Sequence, residues 1–354
     1  MPLVAAKCTN CGASLQVDDT KDAAICQYCG TPFIIEKAIN NYNITNNISA
    51  GVVNIYGDNS GDFEIRAGVL VKYTGTATDV IIPNSVKSID GAFNNCTGLT
   101  SVIIPDSVTE IGGEAFRHCA ALANITIPDS VVKIGHRAFA GCAALTSIVI
   151  PNSVTEIGGE AFRDCTALAR IAIPDSITEI GEYAFYCCGA LANIKIPDGV
   201  TVIGNQMFAS CEALASITIP GSVTVIGKYA FSDCRALTRI TIPDGVTTIG
   251  ECAFARCTAL ASVIISDSVY RFGDGAFAGC TNLTSVTLSD KLLSYIHTSE
   301  IFENTPYHNT LVARIIRKMR LERREQGKCI ECGGDFGVFG KCKKCGSRRG
   351  VQTI

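Results

Sequence analysis

The chain is 354 residues long and 47% hydrophobic, with 33 Gly, 19 Cys and no Trp, and its formal net charge is −3. No window reaches the roughly 18 apolar residues that a membrane-spanning helix needs. The start, Met1-Pro-Leu-Val-Ala-Ala-Lys-Cys8, has no charged lead followed by an apolar run, so neither a transmembrane nor a signal-led chain is expected.

The first unit, residues 1–37, carries Cys8-x-x-Cys11 and Cys26-x-x-Cys29, each pair followed by glycine (Gly12, Gly30). A CxxCG corner turns backbone N–H groups toward thiolate sulfur, and two such corners make a closed tetrahedral S₄ site. That donor set suits Zn²⁺, although iron fits the same ligands. The unit reads as a zinc ribbon. Disulfides are the weaker reading, because the many further thiols of this chain would be a hazard in an oxidising space. A redox CxxC is weaker still, since no βαβ pattern surrounds either pair. Residues 38–61 are rich in Asn and Gly, and within them Val52-Val53-Asn54-Ile55-Tyr56 has strand composition. The segment is either a linker or a β extension of the repeat array that begins at residue 62.

Residues 62–305 are dominated by a 23-residue period. Phe93, Phe116, Phe139, Phe162, Phe185, Phe208, Phe231, Phe254 and Phe277 keep it, and a cysteine follows each after three residues, from Cys96 to Cys280. A fixed period of this size means stacked coils that touch only their neighbours. One period runs Leu122-x-x-Ile125-x-Ile127-Pro128-x-x-Val131-x-x-Ile134-Gly135-x-x-Ala138-Phe139-x-x-Cys142. The alternation from Leu122 to Ile127 predicts a strand, which Pro128 ends because it has no N–H to donate. Gly135 predicts a tight corner. Ala138 to Cys142 predicts one short helical or 3₁₀ turn. Parallel strands, one per coil, should line one side. The ladder thiols read as small buried apolar side chains.

Leu-x-x-Ile-x-Ile-Pro, Ile-Gly and Ala-Phe-x-x-Cys at these spacings resemble the BspA-like, or treponemal-type, class of leucine-rich repeats, over about Phe63 to Phe302. The resemblance implies a right-handed, β-rich solenoid that engages other proteins or surfaces, and it implies surface or adhesion roles, since many relatives are secreted. The thiols and CxxC pairs of this chain argue instead for the cytoplasm. The array's ends look like caps. Residues 62–79 resemble the family's opening hairpin, Pro83 to Pro105 is one residue short, and Phe302 falls out of the register.

Residues 306–327 predict a basic helix. Leu311, Val312, Ile315, Ile316 and Met319 form an apolar stripe, and Arg314, Arg317, Lys318, Arg320, Arg323 and Arg324 cover the rest. Residues 328–354 hold Cys329-x-x-Cys332 and Cys342-x-x-Cys345, a second S₄ set and a second zinc ribbon. From Pro306 onward twelve Lys/Arg face four Asp/Glu, a balance of +8, which leaves −11 on residues 1–305. The basic tail, with Lys341, Lys343, Lys344, Arg348 and Arg349, could meet nucleic-acid phosphates without reading sequence, or dock onto an acidic solenoid.

Catalysis finds no support. His118, His136, His297 and His308 keep no ligand or triad spacing, and no phosphate loop or nucleophile elbow is present. Asp106, Asp129, Asp175, Asp198 and Asp244 follow the prolines as turn residues. The outward strand columns are small and weakly polar: Ser101, Asn124, Ser147, Arg170, Asn193, Ser216, Arg239, Ser262 and Ser285, then Ile103, Thr126, Val149, Ala172, Lys195, Thr218, Thr241, Ile264 and Thr287. Only Arg170 and Arg239 stand out there. Bulkier residues gather at another corner, namely Arg117, His136, Arg137, Arg163, Tyr183, Tyr186, Tyr229, Arg235 and Arg256. Tyr and Arg favour hot spots, so that rim is the better partner candidate. The sequence thus predicts a leucine-rich-repeat solenoid flanked by two zinc ribbons. Its expected role is a non-catalytic protein–protein scaffold in the cytoplasm, using the repeat surface with the zinc ribbons as additional docking modules, and with no membrane and no small-molecule substrate.

Overall fold

The computed structural model describes residues 3–7, 14–18, 23–25, 32–34, 60–289, 292, 299–326, 328 and 344. Near the start, β1 (Leu3–Lys7) pairs antiparallel with β2 (Ser14–Asp18), and β3 (Ala23–Ile25) pairs antiparallel with β4 (Pro32–Ile34). The expected linker or β extension at 38–61 lies outside the described residues, except for Ser60 and Gly61 in a 3₁₀ turn, Ser60–Asp62.

From Phe63 the chain winds into stacked coils. The coil from Ser147 shows the plan. A strand, Ser147–Val149, is closed by the Pro151 turn, where the Val154 amide donates to the Pro151 carbonyl at 3.1 Å. A second strand, Glu156–Ile157, comes next. The expectation of one strand per coil is therefore corrected to two. The signal was Val131-x-x-Ile134, whose isoleucine points inward while Lys133 stays outside, too short a run to show alternation. Both ladders are parallel and in register at one coil per step, as Ser147 opposite Arg170 and Lys133 opposite Glu156 show.

The third side of each coil is not helical, contrary to expectation. It is a chain of tight turns, with the Cys165 amide donating to Phe162 O at 3.2 Å and the Leu168 amide to Cys165 O at 3.0 Å. A helical run cannot continue because two residues per coil sit in the left-handed region, here Glu160 (φ 56°) and Asp164 (φ 58°). The same pair recurs in every coil from Gly91 and Asn95 to Gly275 and Gly279. Between these residues, alternate amides reach to the next coil, as Glu160, Phe162 and Asp164 donate to Glu182 O, Ala184 O and Tyr186 O at 2.8–2.9 Å.

The glycine after the second strand serves a different end from the expected corner. Its φ is ordinary, but a Cβ on Gly158 would lie 2.6 Å from the Gly135 carbonyl carbon, and one on Gly250 as close to that of Gly227. Glycine is required there so that consecutive coils can approach.

Inside, the Phe rings form one column. Neighbouring centroids are 5.1–5.6 Å apart with interplanar angles of 0–13° from Phe93 to Phe302, and each of these rings is fully buried. Phe302 is thus the next rung and not a departure from the ladder, although 25 residues separate it from Phe277. The column is closed at one end by Tyr73, 5.2 Å from Phe93, and at the other by Tyr307, edge-on to Phe302. Tyr73 belongs to the expected opening hairpin, β5 (Phe63–Arg66) and β6 (Val69–Tyr73), whose register shifts between Glu64 and Ile65. Tyr307 starts helix α1 (Tyr307–Glu325), close to the span expected from sequence. Phe231→Ala is expected to lower the unfolding free energy by about 3–5 kcal/mol, and Phe63→Ala at the half-buried cap by less; urea titration of the two variants measures the difference.

Candidate interaction surfaces and metal ends

The ladder thiols are more than apolar filler. Each Sγ from Cys119 to Cys280 donates to the carbonyl of a Phe in the preceding coil at 3.1–3.2 Å, as Cys165 does to Phe139 O. Each of these carbonyls also accepts from the cysteine amide of its own coil, as Phe139 O does from Cys142 at 3.1 Å, so the thiol is a second donor to the same buried acceptor. Burial pushes the thiols from Cys119 to Cys257 up, Cys165 to about 12. They are therefore protonated and poor nucleophiles. Cys96, Cys187 and Cys252 are only partly buried.

The metal candidates Cys8, Cys11, Cys26, Cys29, Cys329, Cys332, Cys342 and Cys345 lie outside the described residues. The strands around the first four do bear on the donor set. Lys7 opposes Ser14, and Ile25 opposes Pro32, so each CxxC falls in a six-residue connection, 8–13 or 26–31, between paired antiparallel strands. Two CxxCG hairpins of equal loop length, offering four thiolates, fit a closed tetrahedral Zn²⁺ site.

The rim favoured by the sequence is largely engaged with itself. Arg137 and Arg163 both donate to Glu160, at 2.8 Å, and Glu160 is only 14% exposed. The Arg137 hydrogen bond, joined by the Arg163 contacts and opposed by burial, holds the Glu160 carboxyl below its usual range. His136 stands 3.9 Å from the same carboxylate, and Arg117 pairs with Glu114 at 3.1 Å. Arg163 also covers the Tyr186 ring, 5.2 Å from its centroid. Farther along the stack, Arg256 pairs with Asp233 at 2.5 Å, and Arg235 reaches Asp233 and Glu212 at 3.5 Å. The Tyr183 hydroxyl accepts from Gln206 at 2.9 Å, and the Tyr229 hydroxyl donates to Glu251 at 3.3 Å. The sequence reading missed Glu114, Glu160 and Asp233. Their signal was present, an acid one coil before Arg137 or Arg256 and one after Arg137, on the same column.

The outward face of the first ladder differs. Arg170 and Arg239 are exposed, and among the described residues neither forms an ion pair. Between them lies a groove of about 390 Å³, floored by Ile171, Ile194 and Ile217 and walled by Asn193, Lys195, Ser216 and Thr218. Lys195 is held by Asp175 at 2.6 Å. Apolar side chains stand on the same face, Ile103, Val149 and Ile264, the second of them 69% exposed.

Helix α1 packs only through its first half. Tyr307 and Leu311 are buried and Ile315 partly so, whereas Ile316, Met319 and Leu321 are exposed. The Tyr307 amide donates to Leu283 O at 3.0 Å, and Arg314 donates to Leu288 O at 3.3 Å. Of the candidate phosphate contacts, Arg317 and Arg320 lie exposed on the helix, and Lys318 and Arg323 are half-buried. Lys344 is exposed, nothing is described of the Arg324 side chain, and Lys343, Arg348 and Arg349 lie outside the described residues. Among the described residues no helix is long and apolar enough to cross a membrane, and no cluster of ligating side chains could hold a metal ion.

The BspA type leucine-rich repeat region, a model of six copies, matches residues 70–189, 132–260 and 203–318. Among solved structures, a leucine-rich repeat protein from Bacteroides ovatus is similar at 26% identity with a TM-score of 0.59, over 82% of this chain and 76% of that one. A leucine-rich repeat protein from T. pallidum is 27% identical over 67% of this chain and 92% of its own, with a TM-score of 0.41. A leucine-rich cell surface protein from Faecalibacterium prausnitzii is 27% identical over 68% and 97%, with a TM-score of 0.30. No curated protein matches the sequence.

The thiol ladder gives a pH dependence. The unfolded chain sheds thiol protons from about 9, whereas the fold keeps that of Cys165 until about 12. Their contribution is whole below pH 9 and is lost as pH rises toward 12. The urea midpoint of the reduced protein is expected to fall between pH 8 and pH 10.5, and to fall less in Cys165→Ala. An unchanged midpoint would contradict the thiol's role.

Proposed function

The chain belongs to the BspA-type leucine-rich-repeat family, and we propose that it is a non-catalytic protein-interaction scaffold that receives its partner on the strand face around the groove. The carrying observation is the contrast between two sets of cations. The rim arginines are neutralised by Glu114, Glu160 and Asp233, whereas Arg170 and Arg239 flank the groove without an ion pair. Three coils separate them, a span of about 14 Å at a strand spacing of ~4.8 Å. An extended peptide rises about 3.3 Å per residue, so carboxylates four residues apart reach both guanidinium groups. An apolar residue between them then enters the isoleucine floor. Burying that side chain contributes about 1.5–3 kcal/mol, and each exposed ion pair about 0.2–1 kcal/mol. The groove supplies affinity and the arginines supply selection.

The two CxxC sets are assigned to structural Zn²⁺, which fixes small units that cannot build a core of their own. Free, hydrogen-bonded ladder thiols support a reducing compartment, the cytoplasm. A second reading is favoured by the exposed Arg317 and Arg320 of α1, namely sequence-blind nucleic-acid contact through the basic tail.

Three measurements test these readings. An array of octapeptides probed with the full chain is expected to retain acid–apolar–acid sequences at least about tenfold over neutral or basic ones, and Arg170→Glu with Arg239→Glu is expected to abolish the preference; equal retention of all classes sinks the strand-face reading. Elemental analysis should find two zinc ions per chain, and a chelator should unfold the ends while the solenoid's circular dichroism persists. Mobility-shift assays of the full chain at low salt should show retarded duplex and single-stranded probes if the tail binds nucleic acid, and no shift removes that reading.

A further inference from the structure

One joint in the stack differs from its neighbours, that between the coil starting at Arg170 and the coil starting at Asn193. Residues 147–149 pair with 170–172, and 193–195 pair with 216–218, but no ladder joins 172 to 193. The second ladder breaks at the same place. Its seven-stranded sheet ends at Glu179–Ile180, and a four-stranded sheet begins at Val202–Ile203. The first ladder is also interrupted between 218 and 239, yet there the second ladder is intact, with Val225 opposite Thr248.

Four side-chain and backbone details agree. The amides of Gly181, Gly227 and Gly250 each donate to an isoleucine carbonyl one coil back at 2.8 Å, and among the described residues Gly204 makes no such bond to Ile180. A Cβ on Gly204 would come no nearer than 3.2 Å to the preceding coil, against 2.3 Å at Gly181 and 2.6 Å at Gly250. The Phe185 and Phe208 rings that meet across this joint are 5.5 Å apart, against 5.1–5.3 Å for every pair beyond them. Ser153, Ser176 and Ser222 each donate a hydroxyl to the coil before, but Gly199 stands at that position here, as Gly245 does at the other interrupted joint, and has none to give. Met207 supplies the cause. It is fully buried in a column that is otherwise alanine from Ala92 to Ala276, and its longer side chain needs room that stacked alanines do not leave.

The turn side stays closed. Tyr183, Phe185 and Cys187 donate to Asn205 O, Met207 O and Ala209 O at 2.9–3.0 Å, and Cys211 Sγ donates to Phe185 O at 3.2 Å. On the strand face the exposed Lys195–Asp175 pair crosses the joint, but no backbone ladder does; a stack whose backbone is fastened along one side and open along the other two is a hinge.

We propose that the solenoid is articulated at this joint, so that residues 63–192 and 193–302 move as two blocks about the turn side. Resting on the strand-face reading, the motion sets the width of the partner groove, since Ile171 belongs to the first block and Ile194 and Ile217 to the second. Hydrogen exchange on the full chain tests the articulation without any partner. The Gly204 amide should exchange at least about tenfold faster than Gly227 and Gly250, and in low urea the two blocks should exchange as separate units. Met207→Ala should slow exchange at Val202–Gly204. Gly204→Ala should leave the melting temperature near that of the parent, whereas Gly250→Ala should lower it or prevent folding. Equal protection at Gly204 and Gly227 with a single exchanging unit, or equal damage from the two alanines, overturns the proposal. Peptide-array failure with two exchanging blocks would sink only the strand-face reading, and the converse result only the hinge.

Discussion

The spacing between hydrogen-bonded parallel strands governs this molecule. With coils held about 4.8 Å apart, every residue lies against its own counterpart 23 positions away, and whatever side chain is chosen must tolerate itself as a neighbour. Phenylalanine does so by stacking its ring, at 5.1–5.6 Å. Glycine does so by having nothing to clash, and serine by reaching back to a carbonyl. Charge is eased by pairing where it can be, as Lys133 stands between Glu110 and Glu156 on the second ladder and pairs with Glu156 at 3.0 Å, while Glu156 and Glu179 adjoin on its outer face. The Phe column and the thiol row are two answers to one repeated question.

Much of the fold was legible because the repeat is so regular. The first strand, its proline stop, the hairpin cap and the closing helix all follow from local pattern. The hidden part came from neighbours one coil away. Lys133-Ile134 is too short to declare a strand and becomes one only beside Glu110-Ile111 and Glu156-Ile157. Gly158 looks like a turn residue until the backbone of Gly135 is placed against it. The left-handed conformation of Glu160 or Tyr183 carries no signal in residue type, since glycine holds those sites only at the ends of the array and at Gly141. The internal pairing of the rim was hidden for the same reason. Arg137, Arg163 and Arg256 look available among the variable positions, and their carboxylates lie one coil or one turn away.

Function in such a molecule depends on where the repetition is broken. Most outward positions carry hydroxyl or small side chains that recognise little. Arg170 and Arg239 interrupt the column of serine and asparagine, Lys195 that of threonine and aliphatic residues, and Met207 the inner column of alanine. These departures cluster in neighbouring coils, and the same coils hold the groove, the open ladders and the missing serine. A uniform array would have been a more stable rod, yet it would have offered a partner no landmark.

The antiparallel hairpin at the start has a consequence beyond stability. A pile of parallel strands presents, at each end, a row of unsatisfied backbone groups ready to recruit another molecule, as fibril tips do. Here β6 takes up the first coil's edge, while β5 turns the new boundary away with an irregular register beside Glu64 and Arg66, which pair with each other. Helix α1 covers the opposite end with Tyr307 and Leu311. The second ladder's first edge is thereby withheld from other molecules, and the apolar column is sealed at both tips.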